Sequence, residues 1–378
     1  MDYRNFEKLG ISTSLLGFGC MRFPLDQEGN IDEERSKEML DTAYRAGVNY
    51  YDTAYVYHGG KSEEFTGKIL DQYDRSSYYL ATKLPIWDVH SVEDAKRIFE
   101  EQLTRLNKSY IDFYLLHSFN RESFDRMVKL GILDFMEQLK EEGRIRYLGF
   151  SFHDEYSAFE YIIAYRDWDF CQIQLNYMDT ELQAGIKGYQ LATNLGVPII
   201  VMEPVKGGSI SKLPMEAVPV FDAIHPGKTP ASWAIRWVAS LPNVKVILSG
   251  MSDMEQVKDN LDTLSTFKPL QDKEYQAINT VAQILRNRVK NGCTGCSYCM
   301  PCPAGVDIPR SFQLWNDYGR YENRGEMKWQ WTCNFDEDKK AKNCIECGLC
   351  EEACPQKLHI RKDLQALQIE FDEIAKVN

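Results

Sequence analysis

The chain has 378 residues, 44% hydrophobic and 26% charged, the composition of a globular protein longer than one small domain. Its formal net charge of -12 argues against nucleic acid as a partner, because phosphate binding needs a basic surface. No apolar run reaches the roughly 18 residues of a spanning helix, and the opening MDYRNFEKLG lacks the apolar segment of a signal peptide. A cytoplasmic protein with no membrane partner is therefore expected.

From residue 14 to 267, short apolar runs alternate with longer amphipathic ones. The strand-like runs are SLLGFGC (14–20), VNYYDTA (48–54), YYLATKL (78–84), IDFYLLHS (111–118), IRYLGFSF (145–152), FCQIQLNY (170–177), PIIVMEPV (198–205) and VKVILSG (244–250). Each precedes a stretch of helical period; in the first, Met39, Leu40, Ala43 and Gly47 mark one face. Asp32 and Ser91 are candidate helix caps, and Gly47, Gly143 and Gly196 are candidate helix stops. Eight strand–helix units in series predict a closed (β/α)8 TIM barrel rather than an open sheet, and no GxGxxG follows a strand.

The pattern changes after Phe267. A helix is expected over 272–288, then Asn291-Gly292 opens a Cys-, Pro- and Gly-rich stretch, and an acidic amphipathic helix is expected over 361–375. The expected division is a barrel over 1–288 and a small α-helical second domain over 289–378.

Reactive residues of a barrel gather at the C-terminal ends of its strands. There the second strand carries Asp52, with Tyr57 in the loop beyond, the third carries Lys83 and the fourth His117. Any one of these alone reads as a cap, a solvated cation or a packed ring; together they can share one mouth. Their chemistry suits proton transfer to a carbonyl oxygen. An ammonium beside a phenol favours the phenolate and so lowers its pKa, a carboxylate fixes the lysine, and a histidine can orient the substrate oxygen.

Val48-Asn49-Tyr50-Tyr51-Asp52-Thr53-Ala54 with Tyr57, then Ala81-Thr82-Lys83 and Leu115-Leu116-His117, resembles the tetrad of the aldo-keto reductases. The resemblance covers about residues 1–267. It implies Tyr57 as general acid, Lys83 and Asp52 as its tuning pair, His117 as substrate orienter, and NADP or NAD across the barrel mouth as hydride donor to a small-molecule carbonyl or alcohol. It also implies cofactor contacts from Ser151 and Gln172, and from Gly250, Ser252, Gln256 and Asn260 after the eighth strand. Phe152 stands where the family has a carboxamide-binding asparagine, and Met202 or Glu203 where it often has an aromatic. In the segment after the eighth strand the nearest lysine is Lys258, so NADH is as well supported as NADPH. Met21, Arg22, Tyr55, Trp87, Phe119 and Phe152 follow strand ends and are candidate pocket residues.

Of 11 cysteines, nine lie between Cys293 and Cys354. Cys344, Cys347, Cys350 and Cys354-Pro355 form C-x2-C-x2-C-x3-C-P, the bacterial ferredoxin run in which three thiolates hold one [4Fe–4S] cluster and the fourth holds its neighbour. Cys293, Cys296, Cys299 and Cys302-Pro303 repeat the design with a shorter last step. Crossed ligation predicts one cluster on Cys293, Cys296, Cys299 and Cys354, and another on Cys344, Cys347, Cys350 and Cys302. Zinc is the competing metal, and it usually takes separated cysteine pairs. Cys333 is left over, as a buried thiol, a regulatory residue or an alternate ligand. Aldo-keto reductases with a ferredoxin-like tail form a bacterial subgroup that this chain resembles. Three uses of the clusters stay open at this point: structure or docking, electron exchange with the site or a redox protein partner, and a mainly electron-transferring module on a disused barrel.

Overall fold

The structure is a computed structural model that describes residues 1–376. Two antiparallel strands come first, β1 (Tyr3–Phe6) and β2 (Ile11–Ser14). The next eight are β3 (Leu16–Gly19), β4 (Tyr50–Asp52), β5 (Tyr79–Leu84), β6 (Ile111–Phe119), β7 (Ile145–Phe152), β8 (Phe170–Gln174), β9 (Ile199–Met202) and β10 (Val244–Ser249). These eight pair in parallel and in chain order, and β10 returns to β3 to close the barrel. Nearly all their residues are buried, as expected of strands covered by helices outside and side chains inside. Seven of the eight runs read from the sequence contain one of them, and the fourth, 111–118, stops one residue short of the end of β6.

The helices of this region are α1 (Glu33–Arg45), α2 (Lys61–Leu70), α3 (Val92–Leu106), α4 (Arg121–Lys129), α5 (Ile132–Glu141), α6 (Tyr156–Ala164) and α7 (Gly185–Asn194). The short α8 (Val218–Asp222) precedes α9 (Pro230–Ala239) and α10 (Met254–Ser265). Asp32 caps α1 by accepting from the Arg35 amide, and Ser91 caps α3 by accepting from the Asp94 amide. Gly47 follows α1 with φ of 93°, a conformation that a Cβ would strain.

The β1–β2 hairpin has no counterpart in the sequence reading. Its strands are four residues long, too short for an alternating pattern to stand out. Its Phe6 is fully buried among Tyr50, Phe113, Phe170 and Val246, with the Phe6 and Phe113 rings 5.7 Å apart. Tyr50 and Phe170 open their strands, so the hairpin fills the end of the barrel opposite the strands' C-terminal ends.

By internal contacts the chain forms two units, residues 1–207 with 231–272, and residues 208–230 with 273–378. The second contains α8 and most of α11 (Asp272–Asn287), then α12 (Ile308–Tyr321), α13 (Arg324–Cys333), α14 (Leu349–Ala353) and α15 (Ile360–Lys376). Within it Arg288 pairs with Glu216 and Glu322. Its core gathers Val306, Phe312, Trp331, Leu367 and Phe371 with Cys350 and Cys354. Among the described residues, no helix is long and apolar enough to cross a membrane.

The plug role of Phe6 sets an expectation. Phe6→Ala removes a fully buried ring and should destabilise the barrel by about 3–5 kcal/mol, read as a lower denaturant midpoint.

Candidate functional site

The last residues of β4 and β5 bring the acid–base groups together. Asp52 ends β4, and Lys83 is the penultimate residue of β5. Lys83 has no exposed surface, and its Nζ donates to Asp52 Oδ1 at 2.6 Å, to the Thr53 carbonyl at 2.7 Å and to Tyr57 Oη at 3.3 Å. Tyr57 opens a tight turn over Tyr57–Gly60 in which His58 takes φ of 52°. The Phe23 amide donates to His58 Nε2 at 3.2 Å, which ties the turn to the loop after β3. The His117 ring meets the Tyr57 ring edge-on at 6.2 Å between centroids. All four residues predicted as a tetrad thus share one cluster.

Protonation follows from burial and charge. Burial would depress Lys83, but the charge of Asp52 and the hydrogen bonds to Asp52 and Tyr57 outweigh it and hold the ammonium above its ordinary range. Burial pushes the Asp52 carboxyl up, and Lys83 pulls it back. Burial likewise raises the Tyr57 hydroxyl, more than Lys83 lowers it. This corrects the expectation of a depressed tyrosine: desolvation of the phenolate exceeds the ammonium's attraction, and Tyr57 rests as the neutral acid. Burial, with Lys83 and His153 beside it, holds His117 well below its ordinary value, so the imidazole is neutral near pH 7.

The residues expected around a nicotinamide sit along the neighbouring strand ends. Ser151 Oγ accepts from the Ser118 amide at 2.7 Å. Gln172 Nε2 lies 3.5 Å from Met202 Sδ, while its Oε1 is buried without a partner. An orphaned amide oxygen there can accept from a carboxamide N–H. After β10, the Ser252 amide donates to Gln256 Oε1, Gln256 Nε2 donates to Asp253, and Asn260 Nδ2 donates to Ser249 Oγ. Asp253 caps α10, so Gly250 and Ser252 lie just ahead of a 12-residue helix whose N-terminal amides favour anions.

Arg22 is the residue whose place the sequence did not disclose. Its side chain crosses Gly250 so closely that a Cβ on that glycine would meet it at 3.2 Å, and its backbone oxygen accepts from Ser252 Oγ. Its aliphatic stem lies against the β10–α10 loop, 228 positions from Gly250 in the chain, while a guanidinium nitrogen comes within 3.7 Å of where a Cβ on Gly207 would stand. The other pocket candidates divide. Trp87 is 42% exposed with its ring 5.1 Å from His117. Tyr55 is tied to Glu101, and Met21 is exposed. Phe119 and Phe152 are fully buried against Phe124 and Phe159, so they pack the core and line no pocket.

The cysteines line two cavities within the second unit. One, about 170 Å³, is bounded by Cys302, Cys344, Cys347 and Cys350, with Cys299, Tyr298, Ile345 and Leu349. The other is bounded by Cys293, Cys296, Cys299 and Cys354, with Phe312 and Ile360. The lining follows the crossed grouping except that Cys299 borders both cavities. Soft thiolates walled by apolar side chains are a donor set that fits iron–sulfur clusters. Cys333 is exposed and lines neither cavity, which removes its reading as a buried thiol.

Comparison with known proteins agrees with both halves. Residues 15–283 match the family described as "Aldo/keto reductase family", and residues 292–359 match "4Fe-4S dicluster domain". L-galactose dehydrogenase from Arabidopsis thaliana is 26% identical over 316 residues, covering 77% of this chain and 96% of its own. An uncharacterized oxidoreductase from Bacillus subtilis, YqkF, is 25% identical, covering 72% and 95%. The holo form of aldo-keto reductase AKR11C1 from Bacillus halodurans superposes with a TM-score of 0.62 at 26% identity, covering 74% of this chain and 96% of its own.

A buried neutral histidine makes stability depend on pH. The His117 pKa is depressed in the folded state, so below about 6.5 the unfolded chain binds a proton that the folded one refuses. Stability should fall as pH drops through that value, by up to about 1.4 kcal/mol per pH unit from this group. Denaturant unfolding at pH 7 and pH 5.5 should show a smaller loss for His117→Asn than for the parent.

Proposed function

We propose that this chain, which belongs to the aldo/keto reductase family, interconverts a carbonyl and an alcohol of a small molecule using NADPH or NADH, with Tyr57 as general acid and base. One observation carries this: a fully buried Lys83 ammonium shared between Asp52 and Tyr57. When bound, the nicotinamide supplies a hydride to the carbonyl carbon. Tyr57 gives its proton to the carbonyl oxygen, and Lys83 stabilises the phenolate left behind. Neutral His117 donates one hydrogen bond to the same oxygen and orients it, while Trp87 offers the substrate an apolar face.

Ser151 and the orphaned Gln172 Oε1 would hold the carboxamide. Gly250, Ser252, Gln256 and Asn260, with Arg22 across them, would hold a phosphate group. The Arg22 stem packs on Gly250 and its guanidinium, nearest Gly207, would add positive charge beside this loop for NADPH or NADH alike.

The cysteines would hold two [4Fe–4S] clusters, one on Cys293, Cys296, Cys299 and Cys354 and the other on Cys302, Cys344, Cys347 and Cys350. Acid–base hydride transfer is complete without a metal, so we assign the clusters to structure or docking rather than to the carbonyl chemistry. Electron exchange with an external redox protein is a second reading, favoured by the exposure of Cys296 and Cys347. The complete acid–base cluster leaves no support for a disused barrel.

Tyr57→Phe should lower kcat by about 10²–10⁴ with the cofactor Kd unchanged, measured on anaerobically purified protein in a screen of carbonyls and polyols with both nucleotides. The rate of reduction should stay level through neutral pH and fall only above tyrosine's ordinary range of about 10, since Tyr57 must be protonated and its pKa is raised. For the clusters, iron and sulfide analysis should return about eight of each per chain. The double variant Cys347→Ala, Cys350→Ala should keep nucleotide-driven reduction. Its loss, with the barrel folded and still binding nucleotide, would assign the clusters to catalysis.

A further inference from the structure

Glu63 lies on α2 with no exposed surface, and the acid–base chemistry above makes no use of it. Its Oε1 accepts from Thr82 Oγ1 at 2.6 Å and from Gln102 Nε2 at 2.8 Å. Gln102 Nε2 also donates to the Lys83 carbonyl at 3.0 Å, and Gln102 Oε1 accepts from Tyr114 at 2.6 Å. Glu63 Oε2 faces Arg105 Nη1 at 3.4 Å, and the same nitrogen donates to the Tyr55 carbonyl at 3.2 Å.

A carboxylate without solvent costs desolvation free energy unless its oxygens are hydrogen-bonded. Here its donors come from the segments that carry the reacting groups. Thr82 precedes Lys83 on β5, and Gln102 holds the carbonyl of Lys83 itself. Arg105 holds the carbonyl of Tyr55, two residues before Tyr57. Neutralising Arg105 does not require Glu63, because Glu101 already pairs with that guanidinium. What Glu63 adds is a single rigid anchor between the strand of the cation and the turn of the acid.

We infer that Glu63 is a positioning residue that sets the separation between Lys83 Nζ and Tyr57 Oη by joining β5 to the turn at Tyr57. The inference rests on the roles proposed above for Tyr57 and Lys83. Misplacement of an aligned group by about 1 Å can cost on the order of 10²-fold in rate, so an anchor one layer behind the site acts on kcat rather than on nucleotide binding.

The test uses the full chain, purified anaerobically, with 4-nitrobenzaldehyde as probe and both NADPH and NADH. Crystal structures of Glu63→Ala and Glu63→Gln give the Lys83–Tyr57 separation, 3.3 Å here. In Glu63→Ala it should lengthen beyond hydrogen-bond reach, past about 3.5 Å, and kcat should fall about ten-fold or more with KM for nucleotide within about two-fold. Glu63→Gln keeps an acceptor for Thr82 and Gln102 and should restore most of both. An unchanged separation in Glu63→Ala, or a Gln variant no better than the Ala variant, overturns the inference. If Glu63→Ala does not fold, Thr82→Val removes one donor alone and should lengthen the separation in the same sense; an unchanged distance there also overturns it. The two readings fail separately. Full activity in Tyr57→Phe refutes the proposed acid, whereas the crystallographic distance reads Glu63 whatever substrate is reduced.

Discussion

The barrel mouth is organised around one charge that has no access to water. The Lys83 ammonium reaches Asp52, the Thr53 carbonyl and Tyr57. Removing one partner of a buried pair typically costs about 3–5 kcal/mol, because the other charge is left uncompensated. That cost constrains its neighbours. Strand β4 must end where Asp52 can face β5, and the turn beyond it must bring Tyr57 back over the lysine. The left-handed backbone at His58, and the hydrogen bond its ring accepts from Phe23, hold that turn in place.

The same burial decides how the groups are protonated. Desolvation penalises whichever form is charged, so it raises Tyr57 and lowers His117 together. Lys83 escapes only because it is paired. The resting site is therefore a neutral phenol, a neutral imidazole and one ion pair. A phenol in this state is ready to give a proton, and the adjacent ammonium matters most once the phenolate has formed. Under the role proposed for Tyr57, the lysine would stabilise the product of proton transfer more than it activates the acid beforehand.

The second unit follows a different logic. Its core mixes aromatic and aliphatic side chains with cysteines, and two of its cavities are walled by thiols and apolar groups. Hydride chemistry moves electrons in pairs, and a [4Fe–4S] cluster passes them singly. Acid–base groups suit the first and soft thiolates the second, and the chain keeps the two sets in separate stretches of sequence.

Local spacing carried much of this. The eight strands were legible because buried parallel strands are continuous apolar runs, and Asp32, Ser91 and Gly47 were legible because caps and stops depend on adjacent backbone. The cysteine groups were legible because ligand spacing is itself the signal. The hairpin with Phe6 was not, since four-residue strands carry too little alternation. Nor could local pattern separate Trp87, beside His117, from Phe119 and Phe152, which pack inward. Sequence alone thus determined the order of the eight barrel strands and named the side chains that meet at their ends and the two groups of cysteines. Tertiary structure decided what depends on closure: Arg22 reaching Gly250 because β3 is the neighbour of β10, Glu63 meeting Thr82 and Arg105, and the direction in which burial moves Tyr57. These are contacts and solvent exclusions between residues far apart in the chain, and no local spacing encodes them.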